Sequence, residues 1–377
     1  MMFEGYSSSK DIVMISVVEF FSPTWTNKQH IASRLAKAGF QVVYVQPQKR
    51  ILTGNPRTIV RSEQDSLRIV ETGWGVPFPH RLRLSAKTSA YLLASSVLHI
   101  MNQENINRPI LWIYAPHSFA LPDLIPHCLT LYDCVDDYAT FPGAWHSKIR
   151  SMEHDLVKKV DLVTCTSDGL YQRLSKVNPN CHIVGNAADI EAFNKRSEPL
   201  SELALLPKPV VGYLGAINFK IDADLVAETA AMAPDMTFAF IGPIKMRVPS
   251  SWKACRNIRL LGLKPFSLLP AVTSGFDAAW IPYRIGPHTE NVFPLKTYEY
   301  LASGLAVVST PLPELKNLVL TARTGVEFIR ILREEIESDS EEKREKRRRT
   351  ADGHSYENRI AKILDLIQAT LQKKKDF

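Results

Sequence analysis

The chain has 377 residues, 45% hydrophobic and 23% charged, with a formal net charge of +7. That length exceeds one usual core, so two domains are expected, and the composition is that of a soluble globular protein with a preference for anionic partners. Five cysteines without a Cys-x2-Cys pair suggest neither a disulfide framework nor a zinc site and fit a reducing cytoplasm, and no apolar run is long enough to span a bilayer.

The first elements read β-α-β. Residues 12–18 form a short apolar strand rather than a signal peptide. Residues 27–38 form a helix with Ile31, Ala32, Leu35 and Ala36 on one face, stopped by Gly39. Residues 42–45 form the next strand. The loop between, residues 19–26, has no glycine and is not a dinucleotide fingerprint. Residues 80–101 read as a helix, with Arg81, Arg83 and Lys87 near its start and Tyr91, Leu92, Leu93, Val97, Leu98 and Ile100 beyond. That composition suits a core-packed amphipathic helix or a membrane-surface element. Buried-type strands follow at 110–114, 129–132 and 162–166, with a helix at 147–160. The polar stretch at 194–209, with Pro199, Pro207 and Pro209, reads as an interdomain linker.

A second α/β series starts with a strand at 210–214. A helix at 222–232 and strands at 237–241, 258–261 and 278–281 follow. Asp222 and Asp224 are formally an Asp-x-Asp pair, but at a helix start they read as caps rather than metal ligands. Residues 291–311, NVFPLKTYEYLASGLAVVSTP, read as a loop, a short helix and a buried strand. Pro294 suits the first helical position and Gly304 ends the helix. Lys296 and Glu299 share one face of the first turn. They form either an ordinary ion pair or part of a nucleoside-diphosphate site. In that site Lys296 and the helix amides face phosphate, and Glu299 accepts from ribose hydroxyls. Beyond residue 330, an acidic run (334–342) and a basic run (343–349) suggest an exposed helix laced with ion pairs. A closing helix at 356–371 places Ile360, Ile363, Leu364 and Ile367 on one face, and Lys373, Lys374 and Lys375 end it. Strands alternating with helices in both halves indicate two parallel, doubly wound sheets, whose ligands bind at strand carboxyl ends.

The segments NKQHIASRLAKAGFQVVYVQP, LYDCVDDYATFPG, DLVTCTSDGLYQRL, IVGNAADIEAFN, VVGYLGAINFKID, FAFIGPI, IRLLGLKPFSLLPAVTSGFDAAWIPY and PLKTYEYLASGLAVVSTP occur in that order. As a set covering roughly residues 10–330, they resemble bacterial glycosyltransferases with the two-domain B-type fold. The likeness is greatest to the family-4-like enzymes of exopolysaccharide and teichuronic-acid assembly. The resemblance implies an α/β protein of GT-B type, with two doubly wound Rossmann-like domains facing a cleft. The acceptor domain would be residues 1–195, the linker 196–209 and the nucleotide-sugar domain 210–350. Residues 351–377 would form a C-terminal helix packing back on the N-terminal domain. The implied activity is metal-independent, retaining sugar transfer from a nucleoside-diphosphate sugar, UDP-sugar foremost. The acceptor would be lipid-linked or an oligosaccharide in cell-surface polysaccharide assembly, and the enzyme cytoplasmic or peripheral on an anionic membrane face.

The resemblance places Glu299 on ribose and Lys296 on diphosphate, beside Pro294 and Leu295. Gly212, Gly215 and Lys220 would line the donor, and Gly262, Leu263 and Lys264 the base. Two departures stand out. Relatives carry a Glu-x7-Glu pair, whose first position here is Asn291, with Glu290 one residue off register. An arginine common after the second glycine is Ala216. In the first domain Asp133 matches a residue facing the reaction centre, where a carboxylate suits an inverting base. Asp136 and Asp137 lie close enough for mutual repulsion, and His117 is a candidate contact to sugar or phosphate. Alternatives are an inactive nucleotide-sugar-binding subunit, a nucleotide-sugar 2-epimerase, or nucleic-acid binding, for which no dedicated motif is visible.

Overall fold

The computed structural model describes residues 10–48, 59–73, 75, 76, 79, 81–195 and 197–375. The chain divides into two compact units. One comprises Met1–Gly185 with Tyr356–Phe377, the other Asn186–Ser355. The division lies ahead of the expected 196–209 linker. The described part of that stretch belongs to the second unit, where Leu203 is fully buried in the core.

The first unit contains β1 (Asp11–Ile15), α1 (Asn27–Lys37), β2 (Gln41–Val45), β3 (Ile59–Gln64), β4 (Leu67–Glu71), α2 (Arg83–Gln103), β5 (Ile110–Ile113), β6 (Leu129–Cys134), α3 (His146–Lys159), β7 (Leu162–Cys165), α4 (Asp168–Leu174) and β8 (Cys181–Ile183). Its sheet runs β3-β4-β2-β1-β5-β6-β7-β8. The pairs are parallel except β3 against β4, an antiparallel edge. That edge departs from a wholly parallel sheet, and the polar run IVRSEQ gives no buried-strand signal. The central strands are apolar on both faces, as strands covered by helices on each side must be. The order reverses at β1 and β5, which makes their carboxyl ends the switch point. The expected helix start at residue 80 lies outside the described residues.

The second unit contains α5 (Ile190–Asn194), α6 (Ser201–Ala204), β9 (Val210–Leu214), α7 (Ala223–Met232), β10 (Thr237–Ile241), α8 (Ser250–Ala254), β11 (Ile258–Leu260), α9 (Leu269–Thr273), β12 (Ala278–Ile281), α10 (Lys296–Ala302), β13 (Val307–Ser309), β14 (Leu320–Thr321), α11 (Gly325–Glu337) and α12 (Glu341–Asp352). Its parallel sheet runs β11-β10-β9-β12-β13-β14. The charged stretch beyond residue 330 is two helices, not one. Ser340 accepts from the Lys343 amide and starts α12.

The chain then re-enters the first unit as α13 (Tyr356–Lys375). Ile360, Ile363, Leu364 and Ile367 are buried, as their spacing predicts.

Candidate functional site

The second unit's switch point falls between β9 and β12. At the end of β9, Gly215 has φ +131° and donates to the Ile241 carbonyl at 2.8 Å. Gly242, at the end of β10, has φ +148°, and a Cβ there would lie 2.1 Å from the Gly215 oxygen. Its amide donates to the Gly262 carbonyl at 2.8 Å. Side chains at these positions would force the strand ends apart. Sequence reasoning missed Gly242, although a glycine directly after an apolar strand is a readable signal.

Lys296 lies against this glycine layer. A Cβ on Gly215 would meet its Nζ at 2.8 Å. The residue is only 8% exposed, and its ammonium lies 4.0 Å from the centre of the Tyr213 ring and donates to the Tyr283 hydroxyl at 2.9 Å. Burial raises the Tyr283 pKa, but Lys296, Lys220 and hydrogen bonds from Lys296 and Tyr213 outweigh it, so the phenol is shifted down. Lys296 and Glu299 make no ion pair among the described residues, which removes the ordinary salt-bridge reading. The Glu299 side chain has no hydrogen-bond partner there either. Burial pushes its pKa up to about 7, Lys296 opposes the rise and Asp189 adds to it. The site therefore pairs a fixed cation with an unengaged carboxyl poised near neutrality.

The loop after β12 is pinned by Thr289, which is fully buried and donates to the Arg284 carbonyl at 2.7 Å. Its hydroxyl also accepts from the Gly286 amide at 3.1 Å. This threonine was not singled out from sequence. It fixes the turn that carries Glu290, which is exposed, and Asn291, which is partly buried. Lys220 precedes the facing loop. Its carbonyl accepts from the Arg284 amide at 2.8 Å, and its charge acts on Tyr283 and His288.

Several expected donor residues have other roles. Gly212 lies inside β9, and a Cβ there would fall 2.1 Å from the Phe276 ring, so it is a packing glycine rather than a point of ligand approach. The Lys264 charge is engaged by Glu202 at 2.6 Å, while Leu263 beside it is exposed. Pro294 does not open the regular helix. It begins one tighter turn, with Thr297 donating to its carbonyl at 3.0 Å, and α10 starts at Lys296 and spans only 7 residues. Leu295 is its partly buried cap. Asp222 caps α7 and, with Asp224, faces Arg284 at 3.8 and 3.7 Å, which supports the cap reading.

In the first unit, Asp133 is completely buried. Its carboxylate accepts from Arg359 of α13 at 2.9 and 3.0 Å and from Thr164 at 3.0 Å. Arg359 also donates to the Val184 and Gly185 carbonyls. A carboxylate committed in this way is a structural anchor rather than a free base, contrary to its expected role as a proton acceptor. Asp137 is likewise engaged, by Arg150 at 2.7 Å. His117 sits on a turn after β5 and lines a cavity with Ser16, Gln46, Ser89 and Leu93.

The two α/β units, each with a doubly wound sheet, have the fold of GT-B glycosyltransferases. The α,α-trehalose 6-phosphate synthase of Burkholderia multivorans superposes with a TM-score of 0.70 at 12% identity, over 98% of this chain and 99% of that one. Anabaena HepE, solved with UDP and glucose, gives 0.66 at 13% identity, over 96% and 99%. The family described as Glycosyl transferase-like matches residues 223–365. TuaH of Bacillus subtilis (strain 168), named for a glycosyltransferase role in teichuronic acid biosynthesis, is 30% identical over 232 residues. That match spans 57% of this chain and 58% of the relative's length. These findings support the resemblance to bacterial GT-B glycosyltransferases.

Proposed function

We propose that the protein transfers a sugar from a nucleoside-diphosphate sugar, UDP-linked in the first instance, to a lipid-linked or glycan acceptor during cell-surface polysaccharide assembly. The observation that carries this reading is the unpaired Lys296–Glu299 couple beside Gly215. The cation suits a departing diphosphate and the unengaged carboxyl suits ribose hydroxyls. Lys220 would add charge in place of a metal, since Asp222 and Asp224 are occupied by a helix end and Arg284. Retention of anomeric configuration is part of the proposal, because the expected inverting base, Asp133, is neutralised by Arg359. A product of opposite configuration to the donor would reject it. Peripheral membrane contact through α2 would bring the enzyme to lipid-linked acceptors.

The test is melting temperature against a panel of nucleoside diphosphates and nucleotide sugars, with Lys296→Ala and Glu299→Ala alongside. A ligand that binds only the folded state raises it. One nucleotide should stabilise the protein by a few degrees, and each variant should lose most of that shift. No shift for any nucleotide would overturn the donor site.

A further inference from the structure

The first unit holds a second buried cation, Lys28, which makes no ion pair among the described residues. Lys28 is the second residue of α1, next to the switch point at β1 and β5, and is 5% exposed. Its Nζ lies 5.3 Å from the centre of the Tyr114 ring and makes no hydrogen bond or ion pair among the described residues. Tyr114 directly follows β5 and is fully buried, and its hydroxyl has no hydrogen-bond partner among the described residues. The buried hydroxyl of Tyr138, on the turn after β6, has none either. Tyr138 lies on the turn after the strand that carries Asp133, and the charge of Asp133 acts on all three groups.

This is a cluster of donors without acceptors, and such groups are costly to bury unless something completes them. Asp133 is saturated by Arg359 and Thr164. Desolvation of Lys28 outweighs the attraction of Asp136 and Asp133, so its pKa is lowered. The missing complement is a group rich in acceptor oxygens and negatively charged. The loop leading to α1 is also ordered in advance. Gln29 accepts from the Thr26 amide at 3.0 Å and donates to the Glu19 carbonyl at 3.0 Å, and Gln46 accepts from the Phe20 amide at 2.7 Å.

We propose that Lys28, Tyr114 and Tyr138 form a subsite for a phosphate-class oxyanion carried by the acceptor. Its assignment to the acceptor rests on the transfer reading above, whereas the oxyanion site itself does not. The phosphate belongs either to a lipid headgroup or to a soluble phosphate ester.

Calorimetric titration of the full chain with inorganic pyrophosphate tests the site, in a Lys296→Ala background that silences the other cation. Adding Lys28→Met should weaken binding about tenfold or more, and Tyr114→Phe should also weaken it about tenfold, the lower end of the value of a hydrogen bond to a charged group. Lys28→Met should melt no lower than its parent, because it removes an uncompensated buried charge. Unchanged affinity in both variants would overturn the proposal. A lowered melting temperature in Lys28→Met, with normal pyrophosphate binding in Tyr114→Phe, would mark a structural cation and overturn it as well. Geranyl diphosphate binding about tenfold tighter than pyrophosphate would identify a lipid source, and equal binding a soluble one. Both results require loss on Lys28→Met. Loss of pyrophosphate binding on adding Lys28→Met, with the nucleotide melting shift intact in the Lys28→Met single variant, separates this site from the donor site. Lys28-dependent binding without any nucleotide shift would refute only the donor reading.

Discussion

Glu299 carries a pH dependence whose sign follows from its surroundings. Its folded pKa of about 7 lies above the ordinary 4.5, so the fold favours the protonated form. Its contribution to stability is therefore present below about pH 4.5 and is lost as pH rises through 7. In the ligand-free protein Glu299→Gln should flatten that loss, as read by melting temperature between pH 4.5 and 7.5. Nucleotide binding should run the other way, because a carboxylate accepts ribose hydroxyls better than an acid does. Affinity should rise about threefold to tenfold from pH 6 to 8 in the wild type and stay level in Glu299→Gln. An unchanged slope in the variant would remove Glu299 from the site. At this scale the sequence was partly legible. Lys296 and Glu299 could be picked out because they are three apart on one helical turn. The commitment of Asp133 could not, because its partner Arg359 lies 226 positions away. The partner of Asp137 is closer in sequence, Arg150 of α3 only 13 positions on, but no local pattern pairs the two.

Among the elements, α2 has two apolar faces. Leu93, Val97 and Ile100 are buried in the first unit, while Leu84 (78% exposed), Tyr91, Leu92 and Leu98 face outward with Lys87. A stripe of large apolar groups with a cation on an exposed face fits shallow insertion at an anionic lipid surface. Among the described residues no helix is long and apolar enough to cross a membrane. The full chain should cosediment with phosphatidylglycerol vesicles at low salt, and Leu84→Glu with Tyr91→Glu should abolish most of it. Absence of cosedimentation in the wild type would reject the role. Strands with continuous apolar runs and helices with clean periodicity were legible, as α1 and α13 illustrate. The β3–β4 edge was not, because a polar strand paired on one side lacks the burial pattern that marks a central one. Gly242 shows a further limit. Its place directly after an apolar strand was readable, but its reason, a backbone contact with Gly215, joins two strand ends and is not local.

At the scale of the molecule, the first unit is completed only by the last helix. Arg359 joins α13 to β6 and to the end of β8 through a buried ion pair and two carbonyls. Arg359→Ala would leave Asp133 buried and alone, and should cost about 3–5 kcal/mol in urea unfolding. Replacing both partners, Asp133→Leu with Arg359→Met, should recover part of that loss. A single variant as stable as wild type would show that the pair is not an anchor. The two α/β series were legible from alternation alone, but the point of division was not. The prolines at 199, 207 and 209 drew the boundary towards residues that are part of the second core.

The bridge between Ala188 and Ser355, reinforced by the Ala188 amide on the His354 carbonyl at 3.0 Å, has a topological consequence. The second unit leaves and rejoins the rest of the chain through one doorway, as a closed insert between β8 and α13. Its ends are already stitched together, so exchanging the whole insert adds little closure entropy and disturbs no strand order in the host sheet. A chain built in this way can trade its second unit as a cassette while keeping the first unit intact.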